Sequence, residues 1–364
     1  VSSMSDAIEA VSQRLDNFFS SQYRKAGETG PEGADFVRAT AASVHGGKRL
    51  RARFCLTGWR AVAEVAGRGS TPDDAAVAAA ASLEVFHAAA LVHDDLIDNS
   101  DTRRGHPAAH RALEAHHRGR GWAGDAAAFG RSAAILGGDL LVAWSDDLLE
   151  EGLLRARPED AAVARAEYGR MRRGVTIGQF LDIAEESAFV TEDDERHAER
   201  ALRVASLKSA RYSVEQPLRI GAALAGASDA QLDALGAFGH PIGMAFQLRD
   251  DVLGVFGDAE VTGKPSGDDL REGKRTVLIA YTREGLAPAD RPRFDALIGD
   301  PTLHADQIAA LQRTIVETGA LERVEELISS YTAEADRALA TAHLGEAAVA
   351  ELEELARAAT ARAA

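Results

Sequence analysis

The sequence predicts an all-α protein, a large helical bundle without a sheet, on three observations. Ala-rich runs recur at 75–81, 88–90 and 126–128, while only 5% of the 364 residues are aromatic. Ala, Leu, Glu and Arg favour helices, and the β-branched and aromatic residues that strands prefer are sparse. Apolar residues return at helical spacing nearly everywhere. Ala7, Val11, Leu15 and Phe18 mark the first stripe, and Leu311, Ile315 and Leu321 suggest a late one. Breaks fall at Gly27–Gly33, Gly67–Pro72, Gly119–Gly130, Arg157–Asp160, Pro288–Arg293 and Gly299–Pro301. Ser70-Thr71-Pro72-Asp73 has the cap and early-proline chemistry of a helix start. With 46% hydrophobic content there is enough apolar surface for a substantial core. No repeat, linker or compositional shift divides the chain, so residues 1–364 are expected to form one domain. The stretch Phe256 to Thr276 holds four Gly, one Pro and charges of both signs, and reads as an exposed, mobile loop.

Composition also excludes several functions. The formal net charge is −16, which disfavours nucleic acid and anionic membranes, since both need a positive face. Cys55 is the sole cysteine and cannot form an internal disulfide; it reads as a small core residue. No apolar run of about 18 to 20 residues suggests a membrane span, and the first residues lack signal-peptide character. A cytoplasmic protein is expected.

Charged clusters carry the chemistry. His93-Asp94-Asp95-Leu96-Ile97-Asp98 closes an apolar stretch. Asp94 and Asp98 are one helical turn apart, with about 6 Å of rise between them, so their carboxylates share a face. They repel unless a cation intervenes, and a helix C-terminus disfavours them further. A second apolar stretch ends in Phe246-Gln247-Leu248-Arg249-Asp250-Asp251. Two carboxylate sets without a Cys or His ligand set suit Mg2+ rather than zinc, with substrate phosphates completing the shell. Gly46-Gly47-Lys48-Arg49-Leu50-Arg51 places Lys48 and Arg51 on one face of a helix starting after the glycine pair, an anion site. Arg103-Arg104-Gly105 follows the first acidic cluster, and Lys264 and Lys274 lie in the loop.

This ordered set, with Gly263-Lys264 and Gly273-Lys274-Arg275-Thr276, resembles the trans-isoprenyl diphosphate synthases over about residues 40 to 280. The resemblance implies the all-α isoprenoid synthase fold around a central cavity, and a homodimer. It implies Mg2+, three ions with substrate bound, held by Asp94, Asp98 and Asp250, with Asp95 and Asp251 supporting. Arg103, Lys208 and Lys264 would surround the allylic prenyl diphosphate. Isopentenyl diphosphate would take Lys48, Arg51, His87 and Arg104. Gln247 and Ser209 would flank the reacting carbons, and Lys274 would arrive with the loop. The family often has a third Asp where Gly254 stands and Thr where Ser209 stands; Asp258, eight residues beyond Asp250, is expected to contribute indirectly at the first departure. His93 and the three tryptophans read as packing residues.

Product length in this family depends on what lies beneath the first aspartate motif. Ala89 and Ala90 are too small to floor the cavity early, as farnesyl-producing enzymes do, and Phe86 would close it about one turn deeper. Geranylgeranyl diphosphate is the expected main product, with longer polyprenyl or farnesyl diphosphate as alternatives. A class I terpene cyclase shares the fold but needs no second diphosphate site, and the Lys48/Arg51 pair speaks against it.

Overall fold

The computed structural model describes residues 3–257, 266–340 and 342–360. The first helices are α1 (Met4–Ala26), α2 (Gly30–Ala42), α3 (Leu50–Ala63) and α4 (Asp74–Ile97). A ribbon of β1 (Thr102–Arg103) and β2 (His106–Pro107) precedes α5 (Ala109–Gly119), α6 (Ala126–Leu153) and α7 (Pro158–Ala188). Next come α8 (His197–Val204), a π-helical segment at Ala205–Glu215, α9 (Gln216–Leu224) and α10 (Asp229–Phe256). The rest is α11 (Asp268–Glu272), α12 (Val277–Gly285), α13 (Arg291–Asp295), α14 (Ala305–Glu317), α15 (Ala320–Ala340) and α16 (Glu346–Thr360). The protein is all-α, as composition predicts. The expectation of no strand needs one correction, because β1 and β2 pair antiparallel through Thr102–Pro107 and Arg103–His106.

Contacts divide the chain into two compact units, Val1–Arg165 with Ile220–Gly226, and Ala166–Arg219 with Ala227–Ala364. In the first unit α4 is the core helix and packs on α1, α3 and α6. Its alanines other than Ala90, with Leu83, Val85 and Phe86, are buried almost all round. Cys55 and Trp59 of α3 are buried too, and Trp144 of α6 meets Phe18 and Phe19 edge-on. The second unit builds its core from Leu248, Val252 and Val255 of α10 with Val277 to Ile279, Phe294, Leu311, Ile315, Val324 and Ile328.

Helix ends follow local chemistry. Ser3 with Asp6, and Ser228 with Gln231, form reciprocal capping boxes at α1 and α10. Asp73 caps α4 by accepting from the Ala76 N–H at 2.9 Å, so Pro72 lies ahead of the cap and not inside the helix. Gly33 and Gly130, read as breaks, fall inside α2 and α6. Leu321 belongs to α15, beyond a turn at Gly319, where Val324 continues the buried stripe. Part of the expected mobile loop is ordered: α11 buries Leu270, and Thr276 caps α12. Two helices do reach span length with apolar averages, α4 and α6. Burial of 78% of its apolar window identifies α4 as a core helix, whereas α6 buries 33% and exposes Ile135 and Leu136.

Candidate active site

In the first unit, α4 runs into the first acidic cluster. Asp98 caps the helix, its N–H donating to the Asp94 carbonyl at 2.8 Å, so both side chains leave the final turn. Asp95 turns inward and is buried. The β1–β2 ribbon folds Arg103 back onto this turn. Arg103 Nε donates to Asp95 Oδ1 at 2.8 Å, and its Nη2 lies 3.7 Å from Asp94 Oδ2. Burial pushes the Asp95 carboxyl up, against the pull of Arg103. The ribbon therefore delivers a cation to the carboxylates before any substrate arrives.

Arg104 turns to the glycine pair. Gly46 and Gly47 have φ of +82° and +85°, a region open to glycine at little cost. The Arg104 guanidinium lies over them, and a Cβ at Gly47 would come within 2.8 Å of its Nη2. Arg104 Nη1 also donates to the His45 carbonyl at 3.3 Å. The sequence reading of this segment needs correction: α3 begins at Leu50 with Arg49 as its N-cap, so Lys48 precedes the helix and only Arg51 is on its first turn. One N–H offered there to an anion is already used, because Ala52 donates to Glu84 Oε1 at 3.0 Å. His87 lies three residues along α4 from Glu84. Burial, with Arg51 and Arg104 nearby, holds its imidazole well below the usual range and keeps it neutral. A cavity of about 690 Å3 opens against Gly46, Gly47, Leu91, Asp95, Arg103 and Arg104.

The second unit carries its own set. The π-helical segment holds Lys208 and Ser209, and such segments often occur at functional sites. Lys208 Nζ binds Asp182 Oδ2 of α7 at 2.5 Å. Burial and the Asp182 charge push Glu186, one turn further, upward. On α10, Gln247 Nε2 donates to Asp251 Oδ1 at 2.7 Å. Asp251 is buried, and its carboxyl is pushed up to about 8 by burial, with the Asp269 and Asp250 charges adding to the effect. Asp250 is half-buried on the same turn. A Cβ at Gly254 would lie 1.9 Å from Asp269 Oδ2, so the carboxylate of α11 fills the space a third aspartate on α10 would need. Lys274 follows α11 and pairs with Asp269 at 3.2 Å and Glu272 at 2.6 Å, so it sits on ordered structure. Lys264 and Asp258 lie outside the described residues.

The sequence pattern of the polyprenyl synthetase family matches residues 36–315. The chain belongs to that family. As a member it is a trans-prenyl diphosphate synthase, a prenyltransferase. A crystal structure of geranylgeranyl pyrophosphate synthase from Corynebacterium glutamicum, complexed with isoprenyl diphosphate and magnesium, superposes with a TM-score of 0.91. It is 39% identical and covers 99% of this chain and 100% of its own. Geranylfarnesyl diphosphate synthase of Aeropyrum pernix is 32% identical over 81% of this chain and 84% of its own. Geranylgeranyl diphosphate synthase of Methanosarcina mazei is 30% identical over 79% and 78%.

The synthase's chain-length candidates divide by position. Phe86, Ala90 and Asp94 lie four residues apart on α4 and form one line along the helix. Ala90 is half-buried, while Ala89 is turned away from that line and is 1% exposed. Sequence reasoning missed Asp182, Glu84 and Asp269. Asp182 had a signal: with Glu186 it repeats the four-residue acidic spacing of Asp94 and Asp98. Glu84 and Asp269 had none, because what gives them a place is contact across helices: Glu84 meets the Ala52 N–H and Arg49 at the start of α3, and Asp269 fills the space beside Gly254 of α10.

Proposed function

We propose that this synthase uses Mg2+ to join isopentenyl diphosphate head-to-tail to an allylic prenyl diphosphate, with geranylgeranyl diphosphate as main product. The observation that carries the reading is the presence, in each unit, of helix-borne carboxylates with cationic side chains at hand: Asp94, Asp95 and Asp98 with Arg103, and Asp182, Asp250 and Asp269 with Lys208 and Lys274. The donor set fits the metal. It is all oxygen, the carboxylates at the C-terminal ends of α4 and α10. Mg2+ takes one or two carboxylates and completes its shell with water and phosphate oxygens. Asp94, Asp98 and Asp250 would hold it, with three ions once substrate is bound. The C. glutamicum relative's magnesium and isoprenyl diphosphate support Mg2+ as the ion.

When bound, the metal neutralises charge on the departing diphosphate. The chain's own groups do the rest. Arg103, Lys208 and Lys264 bind the allylic diphosphate and stabilise the charge that grows as its C–O bond breaks. Lys48, Arg51, neutral His87 and Arg104 orient isopentenyl diphosphate, whose double bond attacks the allylic carbon. Gln247 and Ser209 flank that carbon, and Lys274 closes the anionic end. Apolar walls exclude water from the cationic carbon. The proton is lost to the departed diphosphate, and no side chain is needed as base. Asp269 supplies the carboxylate that Gly254 lacks. Phe86 floors the tail beneath Ala90.

We further propose a homodimer in the cytoplasm, the whole chain acting as one polyprenyl synthetase domain with a second copy covering Ile135 and Leu136 of α6. The test is the elongation rate with isopentenyl and farnesyl diphosphates before and after chelation. The reading requires loss on chelation and recovery with Mg2+; an unchanged rate contradicts it.

A further inference from the structure

We infer that Glu84 is the positioning residue of the isopentenyl diphosphate site, fixing the backbone of residues 46–52 from the helix that also carries His87. The inference rests on the proposed function, in which Lys48, Arg51, His87 and Arg104 take that substrate. Glu84 is 6% exposed, deep for a carboxylate. It makes two ties to the segment. Ala52, in the first turn of α3, donates its N–H to Glu84 Oε1 at 3.0 Å. Arg49 Nη1 lies 3.6 Å from Glu84 Oε2 and also donates to the Val44 carbonyl at 3.2 Å.

Arg49 is the residue that needs holding. Its φ of 51° is left-handed, a conformation unfavourable for a residue with a Cβ that persists only when surroundings over-determine it. That turn sets where Lys48 leaves the chain and where Arg51 starts the helix. Glu84 clamps it from both sides, at the cap residue and at the first-turn N–H. Its charge works the other way. Glu84 is close enough to Arg104 to act on it electrostatically, and a negative charge there weakens the field that draws a diphosphate. The benefit of Glu84 is therefore geometric, and a neutral acceptor of the same shape should retain it.

The test is steady-state kinetics with each substrate varied separately, on Glu84→Ala and Glu84→Gln. Glu84→Ala should raise KM for isopentenyl diphosphate about tenfold while KM for the allylic substrate stays within about twofold. Glu84→Gln, which keeps an acceptor for the Ala52 N–H, should hold KM for isopentenyl diphosphate within about threefold of wild type or below it. Equal rises for both substrates, or a Gln variant as impaired as the Ala variant, overturn the inference. If Glu84→Ala does not fold, Arg49→Met removes the ion pair together with the Val44 hydrogen bond and leaves the Ala52 tie in place; a rise of about threefold confined to isopentenyl diphosphate supports the clamp, and no rise sinks it. Wild-type protein that does not elongate sinks the proposed function and this inference together, whereas elongation without the split sinks this inference alone.

Discussion

The ends of α4 and α10 repeat one sequence pattern, an apolar helix running into paired aspartates, in opposite electrostatic settings. Asp95 is buried against an arginine, whereas Asp251 is buried against the neutral amide of Gln247. The first carboxylate keeps a cation within reach; the second is pushed up to about 8, so it carries a proton at neutral pH in metal-free protein. Paired aspartates in sequence thus do not mean paired charges. What faces them decides, and here that is the ribbon behind α4 and a carboxylate from α11 beside α10.

Four substitutions break or sharpen this comparison. Asp94→Ala and Asp250→Ala remove the principal ligand from each end, and each should lower the elongation rate by about a thousandfold or more in steady-state assays. A variant of either residue with near wild-type turnover would remove that end from the chemistry. Asp95→Asn and Asp251→Asn separate the two settings. The first breaks an ion pair with Arg103 and should cost about a hundredfold in kcat/KM; the second keeps the contact with the Gln247 amide and breaks no hydrogen-bonded ion pair, so it should cost about threefold or less. Equal losses would erase the contrast.

Gly254→Ala forces a methyl into the space of Asp269 Oδ2. Because the obstacle is the end of a side chain, the cost to stability should be modest, about 1 to 3 kcal/mol by denaturant unfolding, with elongation reduced about tenfold as Asp269 is displaced. Normal elongation in a folded variant would deny Asp269 its role. Smallest in rate is Phe86→Ala, which should leave turnover within about threefold and lengthen the product seen by mass spectrometry. An unchanged product would remove Phe86 as the floor.

Much of the fold was legible because helix periodicity and capping are local. The Ala7 to Phe18 stripe and the apolar run into Asp94 can be read without any partner. The two-residue ribbon was not, since nothing in Thr102 to Pro107 looks like a strand; its pairing depends on folding back over the end of α4. Within the site, the acidic clusters and Arg103-Arg104 announced themselves through charge beside apolar runs. Lys48 was misplaced onto α3 because a left-handed Arg49 delays the helix start by two residues, to Leu50, and sequence gives no sign of an arginine at positive φ. Asp269 was invisible for another reason: its meaning comes from an empty Cβ position on Gly254.

The most direct test of the central claim is the product itself. Purified protein, Mg2+, isopentenyl diphosphate and each allylic diphosphate in turn are incubated, and the products are sized by mass spectrometry. The account predicts chain elongation that stops chiefly at geranylgeranyl diphosphate. Release of a hydrocarbon from a supplied prenyl diphosphate, with no elongation from any starter, would contradict it.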